Sequence, residues 1–227
     1  MKAKYTYLSD FGARLYDRTA WTAIDPMAEK YYSVSLYAYC KNDPVNMFDL
    51  DGKDGILIVF PDYKITVGSA KIPYFGHAGV LLINNETGLT KYYEYGRYDD
   101  EGKGIVRNVP VPNVIIDPSG KPTKESLQRT LSSVSRANHN NKIEGAYVTS
   151  DDFEAMNDYA QMRLNDNTNN NRESYPLWQN NCGTFAAETL GAGDDVEIPK
   201  RLRPRPNSLL KQFLQLFDPI EYDPQTE

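Results

Sequence analysis

Short apolar runs separated by turn signals occupy the middle of the chain. Residues 56–60 and 77–83 are almost continuously apolar, which is typical of buried strands, and residues 89–95 have the alternating character of a half-buried strand. Residues 105–109 are a candidate fourth strand. Because short turns join successive strands, the pattern predicts an antiparallel sheet.

The second half of the chain follows a helical period instead. Residues 123–137 and 150–165 carry apolar side chains three or four positions apart, as on one face of a helix. A third helix is expected to begin at Cys182 and to stop at Gly191, and a fourth is expected over residues 206–217. The whole pattern predicts an α+β fold in which an antiparallel sheet packs with helices.

The remaining segments are predicted to be less regular. Residues 61–76 fit a loop or a short hairpin, and residues 146–148 fit a short strand. Residues 1–52 fit short extended pieces joined by turns at pairs such as Asp51-Gly52. The acidic residues 218–227 are expected to form a frayed tail.

Composition and charge narrow the possible functions. The 227 residues, 40% hydrophobic and 25% charged, suffice for one sizeable domain and an appendage. The net charge of −6 gives no reason to expect nucleic acid or an anionic membrane surface as partner. No apolar run approaches the roughly 18 residues of a membrane span, and the first residues lack the apolar core of a signal peptide. Two cysteines and two histidines lack zinc-ligand spacing, so neither a metal nor another cofactor is expected.

Cys182 is the candidate nucleophile because it is expected in the first turn of a helix. Backbone N–H groups and the positive end of the helix dipole favour the thiolate there. His77, at the start of a strand, is the candidate base, and Glu94, on the next strand, could accept the other imidazole N–H. Backbone N–H groups at the start of the helix could form part of an oxyanion hole.

Each of these residues also has a structural explanation. A single buried cysteine on a helix is commonly a small core residue. Glu94 faces the site only if the strand register allows it, and it would otherwise be a surface carboxylate. The second histidine, His139, fits a solvated loop.

The first 52 residues carry a series of ordered motifs. They resemble the RHS-repeat-associated core, on the segments Phe11-Gly-Ala-Arg-Leu-Tyr-Asp17, Trp21-Thr-Ala-Ile-Asp-Pro-Met-Ala-Glu29, Ser35-Leu-Tyr-Ala-Tyr39, Asn42-Asp-Pro-Val-Asn46 and Asp49-Leu-Asp-Gly52. In that family the segment after the core is a toxin, often delivered by a contact-dependent system such as type VI secretion. The resemblance implies a short RHS-core remnant at residues 1–52 and a toxin domain at residues 53–227.

A toxin of this kind implies further expectations about location and partners. The chain would be made in a bacterial cytoplasm without a signal peptide, and a specialised secretion system would export it to act in a target cell. An immunity protein is an expected partner. Cys40, within the remnant, is expected to take no part in catalysis.

The order of the candidate site residues carries a second resemblance. His77-Ala-Gly-Val80 on a strand, Glu94 on the next strand and Asn181-Cys182 opening a later helix resemble the circularly permuted NlpC-type papain-like fold, which includes the lecithin–retinol acyltransferase-like proteins. By that resemblance Cys182 is the nucleophile, His77 the base and Glu94 the orienting residue. Asn181 either polarises the oxyanion or caps the helix. Members of that family cleave peptidoglycan stem peptides, hydrolyse other amides or esters, or transfer acyl groups.

Together these features predict an interbacterial toxin that is a cysteine-dependent amide hydrolase. The expected substrate is peptidoglycan, cleaved as an amidase or endopeptidase would cleave it. An acyltransferase, a deamidase or a lipid hydrolase with the same catalytic residues is the near alternative. A catalytically inactive binding module is the alternative without chemistry.

Overall fold

The protein divides into two compact units, residues 1–50 and 51–227. The computed structural model describes residues 7–9, 14–16, 53–67, 70–72, 76–98, 102–150, 152–194, 196–200, 202–203 and 205–226. In the first unit these residues form two short antiparallel strands, β1 (Tyr7–Ser9) and β2 (Arg14–Tyr16). The other residues of the RHS-like motifs, and Cys40, lie outside the described residues.

An antiparallel sheet of six strands is the framework of the second unit. Its order across the sheet is β10-β9-β3-β6-β7-β8. These strands are β3 (Lys53–Phe60), β6 (His77–Asn84), β7 (Thr90–Gly96), β8 (Ile105–Val109), β9 (Ile143–Val148) and β10 (Asp218–Tyr222). A separate hairpin, β4 (Ile65–Val67) with β5 (Ala70–Ile72), lies between β3 and β6 in the chain.

Four helices cover the two faces of this sheet. They are α1 (Lys124–Ala137), α2 (Phe153–Asn165), α3 (Cys182–Leu190) and α4 (Pro206–Phe213). Apolar side chains of α2, α3 and α4 share one buried core, and those of α1 belong to a second. Because successive strand residues point to opposite faces, β3 serves both cores, with Leu57 in the first and Ile56 in the second. Burial on both faces explains why β3 and β6 are almost continuously apolar.

The predicted elements are largely confirmed, with one clear error at the end of the chain. The four helices and all five expected strands, including the short one at residues 146–148, are present, and residues 61–76 contain a hairpin; α4 ends at Phe213, four residues earlier than expected. The residues expected to form a frayed tail instead contain β10, which pairs with β9 over its whole length. Tyr222, at the end of β10, is only 4% exposed, so burial of this ring holds the edge strand in place. Among the described residues, no helix is both long and apolar enough to cross a membrane.

Candidate active site

Cys182 is the first residue of α3, as its sequence context predicts. Asn181 caps the helix: its side-chain oxygen accepts bonds from Gly183 N at 2.8 Å and Thr184 N at 3.1 Å. The Thr184 hydroxyl accepts a return bond from Asn181 N at 2.9 Å. This capping box fixes the first turn of α3 and, with it, the direction of the thiol. The Cys182 thiol is free and fully buried.

His77 occupies the first position of β6, opposite Phe60 at the end of β3. The residue before it, Gly76, has a φ of 79°, which only glycine adopts readily. A side chain at that position would also meet Asn207 Oδ1 at 2.5 Å. The sharp change of direction at Gly76 therefore sets where β6 begins and where the imidazole is placed.

The imidazole of His77 joins side chains from both cores of the second unit. It lies close enough to the Cys182 thiol, on the α3 side of the sheet, for the two groups to shift each other's pKa. It also packs against Phe60 and Tyr63 of the α1 side, with ring centroids 6.0 and 5.2 Å away. Its Nε2 atom lies 3.6 Å from Glu94 Oε2. Since Nε2 is directed at the carboxylate, Nδ1 is the nitrogen left for the thiol.

Glu94 reaches His77 because of the register between β6 and β7. Glu94 pairs with Gly79, two residues beyond His77, so both side chains project from the same face of the sheet. A side chain at Gly79 would lie 2.4 Å from the Tyr92 hydroxyl, which donates to Glu94 Oε2 at 3.2 Å. The glycine of the His77-Ala-Gly sequence thus leaves room for a tyrosine that orients the carboxylate.

Two further side chains fix the Glu94 carboxylate. Arg107 donates to Oε1 at 2.5 Å, and Asn138 Nδ2 donates to Oε2 at 3.1 Å. Glu94 is fully buried, so these bonds replace the water that a carboxylate would otherwise bind. Arg107 also lies over the Tyr98 ring, 4.1 Å from its centroid. The Tyr98 hydroxyl lies 3.4 Å from His77 Nε2.

The electrostatics of this cluster favour charge separation between the thiol and the imidazole. Burial acts to raise the pKa of Cys182, but the charge and hydrogen bond of His77, helped by Tyr175 and the Ala78 backbone, lower it overall. Burial acts to lower the pKa of His77, whereas Cys182 and Glu94 raise it to about 9. Burial also opposes ionisation of Glu94, yet His77, Arg107 and Asn138 lower its pKa to about 2. The arrangement stabilises a thiolate–imidazolium pair beside an ionised carboxylate.

The structure brings Cys182, His77 and Glu94 together, and it places Asn181 in one of the two roles that the sequence left open. Both ends of the Asn181 amide bond to nearby backbone groups: Nδ2 donates to Leu177 O at 2.6 Å, and the oxygen caps α3. His139 is exposed in the loop after α1, as predicted.

Sequence reasoning missed Tyr175, Arg107 and Asn138. Tyr175 accepts a hydrogen bond from Cys182 N at 2.9 Å and also contacts the thiol. The alternation of β8, with buried Val106 beside exposed Arg107, gives no sign that the arginine bonds Glu94. Asn138, just beyond α1, resembles an ordinary helix cap. No group of three or more His, Cys, Asp and Glu side chains in the described part of the chain could hold a metal ion.

Comparison with known proteins identifies the family. Residues 55–197 match the model of the family described as Type VI secretion system effector TseH-like. The crystal structure of the type VI secretion system effector TseH is similar with a TM-score of 0.68 and 35% sequence identity, covering 78% of this chain and 95% of that one. No curated protein matches the chain. The matched region contains His77, Glu94 and Cys182, and the chain belongs to the TseH-like family of type VI secretion system effectors.

Proposed function

We propose that the chain is a cysteine-dependent amide hydrolase in which Cys182 is the nucleophile, His77 the base and Glu94 the residue that orients His77. One observation carries the proposal: the His77 imidazole interacts on one side with a thiol at a helix N-terminus, each shifting the other's pKa, and approaches a fully buried carboxylate on the other side. That is the arrangement needed to hold a thiolate and to return a proton to a leaving amine. Its combination of an α3 cysteine with an earlier strand histidine supports a papain-like, permuted NlpC-type fold.

The chemistry follows from the charge state of the pair. The Cys182 thiolate adds to the carbonyl carbon, a C–S bond forms, and the carbonyl electrons move to oxygen. The C–N bond then breaks, and the amine leaves with the proton that His77 held. His77 next takes a proton from water, whose oxygen attacks the thioester, and the acid is released as the sulfur leaves. Glu94 stays ionised throughout and keeps Nε2 directed away from the sulfur.

The developing oxyanion needs hydrogen-bond donors, and two groups beside the thiol can serve: the Cys182 N–H and the Tyr175 hydroxyl. The Cys182 N–H is bonded to the Tyr175 hydroxyl in the free protein. Burial first and the neighbouring Cys182 second raise the pKa of Tyr175 well above its usual value, so this hydroxyl remains protonated. A substrate oxygen that replaced the hydroxyl as acceptor would receive the N–H bond and lie within reach of the O–H. Asn181, engaged in the cap, supports the position of this N–H.

Membership of a type VI effector family supports action inside a target cell after secretion, and it makes an immunity protein a plausible partner. Peptidoglycan is the proposed substrate because it is a polymer with exposed amide bonds and is met by an effector delivered between bacteria. The proposal places the RHS-core remnant at residues 1–52, ahead of the hydrolase unit. The alternative reactions, which are hydrolysis of other amides or of lipids and acyl transfer, would use the same three residues. Analysis of the reaction products distinguishes them from peptidoglycan cleavage.

Substitution of the nucleophile tests the proposal. Cys182→Ala should lower release of peptides from purified peptidoglycan by at least about a thousandfold, because it removes the thiol that forms the thioester. Cys40→Ala is the matched control and should keep full activity. Mass spectrometry of the soluble products gives the bond cleaved. Unchanged release by Cys182→Ala with normal circular dichroism would refute the mechanism and favour a binding module.

A further inference from the structure

Two exposed arginines lie against the segment that leads into α3. Residues 175–181 of this segment carry two aromatic side chains, and each is covered by a guanidinium group. Arg97, just after β7, lies 5.7 Å from the centroid of the Tyr175 ring. Arg205, just before α4, lies 4.9 Å from that of Trp178. Stacking on a ring holds a guanidinium plane in a fixed orientation.

Within the described part of the chain, neither arginine has an acidic partner. Arg97 donates one hydrogen bond to the Tyr175 carbonyl oxygen at 2.9 Å, and no carboxylate among the described residues forms a salt bridge with Arg97 or Arg205. By contrast, Arg107 pairs with Glu94 and Arg163 with Glu188. The chain has 31 acidic and 25 basic residues, so carboxylates are not scarce. The positive charge at Arg97 and Arg205 is therefore available to a ligand.

Both arginines are close to the proposed reaction centre through the rings they cover. The hydroxyl of Tyr175 contacts Cys182, so Arg97 lies one tyrosine ring away from the nucleophile. Trp178 is four residues before Cys182 and 57% exposed, and its ring supports Arg205. The residue two beyond Arg205, Asn207, approaches Gly76 beside His77. Arg97 and Arg205 thus approach the site from β7 and from α4, respectively.

We propose that Arg97 and Arg205 form a carboxylate-binding site for an acidic peptide, whose scissile amide is presented to Cys182. The inference rests on the proposed hydrolase function and adds the class of substrate. A guanidinium group binds a carboxylate through two parallel hydrogen bonds, and the stacked, exposed groups here keep N–H donors free for that purpose. The anionic groups of a peptide substrate are carboxylates. Arg97, beside the Tyr175 ring, is the main specificity-determining residue, and Arg205 contributes at the Trp178 side.

Matched substrates test the specificity. Peptidoglycan stem-peptide fragments are compared with the same fragments whose carboxylates have been converted to carboxamides. The wild-type chain should cleave the carboxylate form with a kcat/KM about tenfold higher. Arg97→Gln should remove most of this preference, and Arg205→Gln part of it, by lowering the kcat/KM of the carboxylate form more than that of the carboxamide form. Arg129→Gln is the matched control, because Arg129 is also exposed and donates to a backbone carbonyl, that of Asn113.

A binding measurement separates this inference from the hydrolase proposal. In Cys182→Ala, the carboxylate fragments should shift backbone NMR signals of residues 175–178, and Arg97→Gln in that background should weaken the affinity about tenfold. Binding of this kind without cleavage by the wild-type chain would uphold the carboxylate site and reject the hydrolase. The inference would be overturned if Arg97→Gln lowered kcat/KM equally for both substrate forms, or if it left the affinity for the carboxylate fragments unchanged. Stronger competition by glycerol phosphate than by the peptides would also overturn it, in favour of a phosphate ligand.

Discussion

At the scale of single residues, the contacts of the His77 ring decide which protonation states the site adopts. Its ring packs against aromatic neighbours, interacts with the Cys182 thiol and lies near the Glu94 carboxylate. Burial alone would keep the imidazole neutral, and the raised pKa shows that the partners outweigh burial. The same reasoning explains why Glu94, though buried, remains ionised: an arginine, an amide and an imidazole all favour its charged form. These charges are stable only as a group.

The Cys182 thiolate is the largest influence that raises the pKa of His77. Removing it in Cys182→Ala should lower the His77 pKa below about 9, toward the ordinary value of 6.5, while Glu94 keeps some of the shift. NMR titration of the imidazole signals measures this directly. A His77 pKa that stayed near 9 in Cys182→Ala would show that the thiolate is not the cause.

The shifted pKa values also predict how stability depends on pH. The folded pKa of His77, about 9, exceeds its ordinary 6.5, so its contribution is complete below pH 6.5 and is lost as the pH rises through about 9. The folded pKa of Glu94, about 2, is below its ordinary 4.5, so its contribution is complete above pH 4.5 and is lost as the pH falls toward 2.

On the alkaline side the lowered pKa of Cys182 acts in the opposite direction to the raised pKa of His77, so the clear prediction lies at acid pH: urea unfolding should show the free energy of unfolding falling as the pH drops from 4.5 toward 2. Glu94→Gln should remove this fall, and His77→Asn should reduce it, because His77 is the largest influence that lowers the Glu94 pKa. If the free energy of unfolding changed with pH equally in the variants and in the wild type, the pH dependence would belong to other groups.

At the scale of elements, the N-terminus of α3 and the start of β6 bring the reacting groups together. The capping box of Asn181 and Thr184 fixes the first turn of α3, and Gly76 fixes where β6 begins. The pairing of Gly79 with Glu94 then places the carboxylate on the same face as His77. Each contribution sets the course of the backbone, so loss of one shifts the reacting groups without removing them.

Substitution of Asn181 separates capping from a direct role in catalysis. Asn181→Ala should lower the free energy of unfolding by about 1 kcal/mol, because two N–H groups of the first turn lose their acceptor. Asn181→Ser retains an oxygen acceptor for the cap but has no amide N–H, so it should keep most of the stability and most of the activity. Urea unfolding and peptidoglycan cleavage measure the two effects. Full stability with a hundredfold loss of activity in Asn181→Ser would instead assign Asn181 to the oxyanion.

At the scale of the whole molecule, the site belongs entirely to the second unit. Both buried cores consist of residues between 56 and 222, and the three proposed catalytic residues lie among them. The edge strand β10 is part of this unit as well, so the last residues of the chain contribute to the sheet.

A fragment of residues 51–227 should therefore fold without the first unit. It is expected to unfold cooperatively in urea, because every side chain of both cores is retained. The alkylation rate of Cys182 at mildly acidic pH, compared between the fragment and the whole chain, then measures whether the first unit affects access to the thiol. Loss of cooperative unfolding in the fragment would contradict the conclusion that residues 51–227 form an independently folding unit.

The sequence by itself determined most elements and the identity of the reacting groups. Apolar periodicity is local, so strands and helices could be predicted from it, as could a cysteine at a helix start and a histidine at a strand start. The strand at residues 218–222 could not, because its exposed, acidic face resembles a free tail and only pairing with β9 makes it a strand.

Only the tertiary structure decided how those groups meet. Strand register placed Glu94 on the face of His77, and packing of α3 against the sheet brought Cys182 to the imidazole. Tyr175, Arg107 and Asn138 come from a loop, a strand and a helix end, and no local pattern relates them to Cys182 or Glu94. Charges and hydrogen bonds act through space, and the fold alone sets those distances.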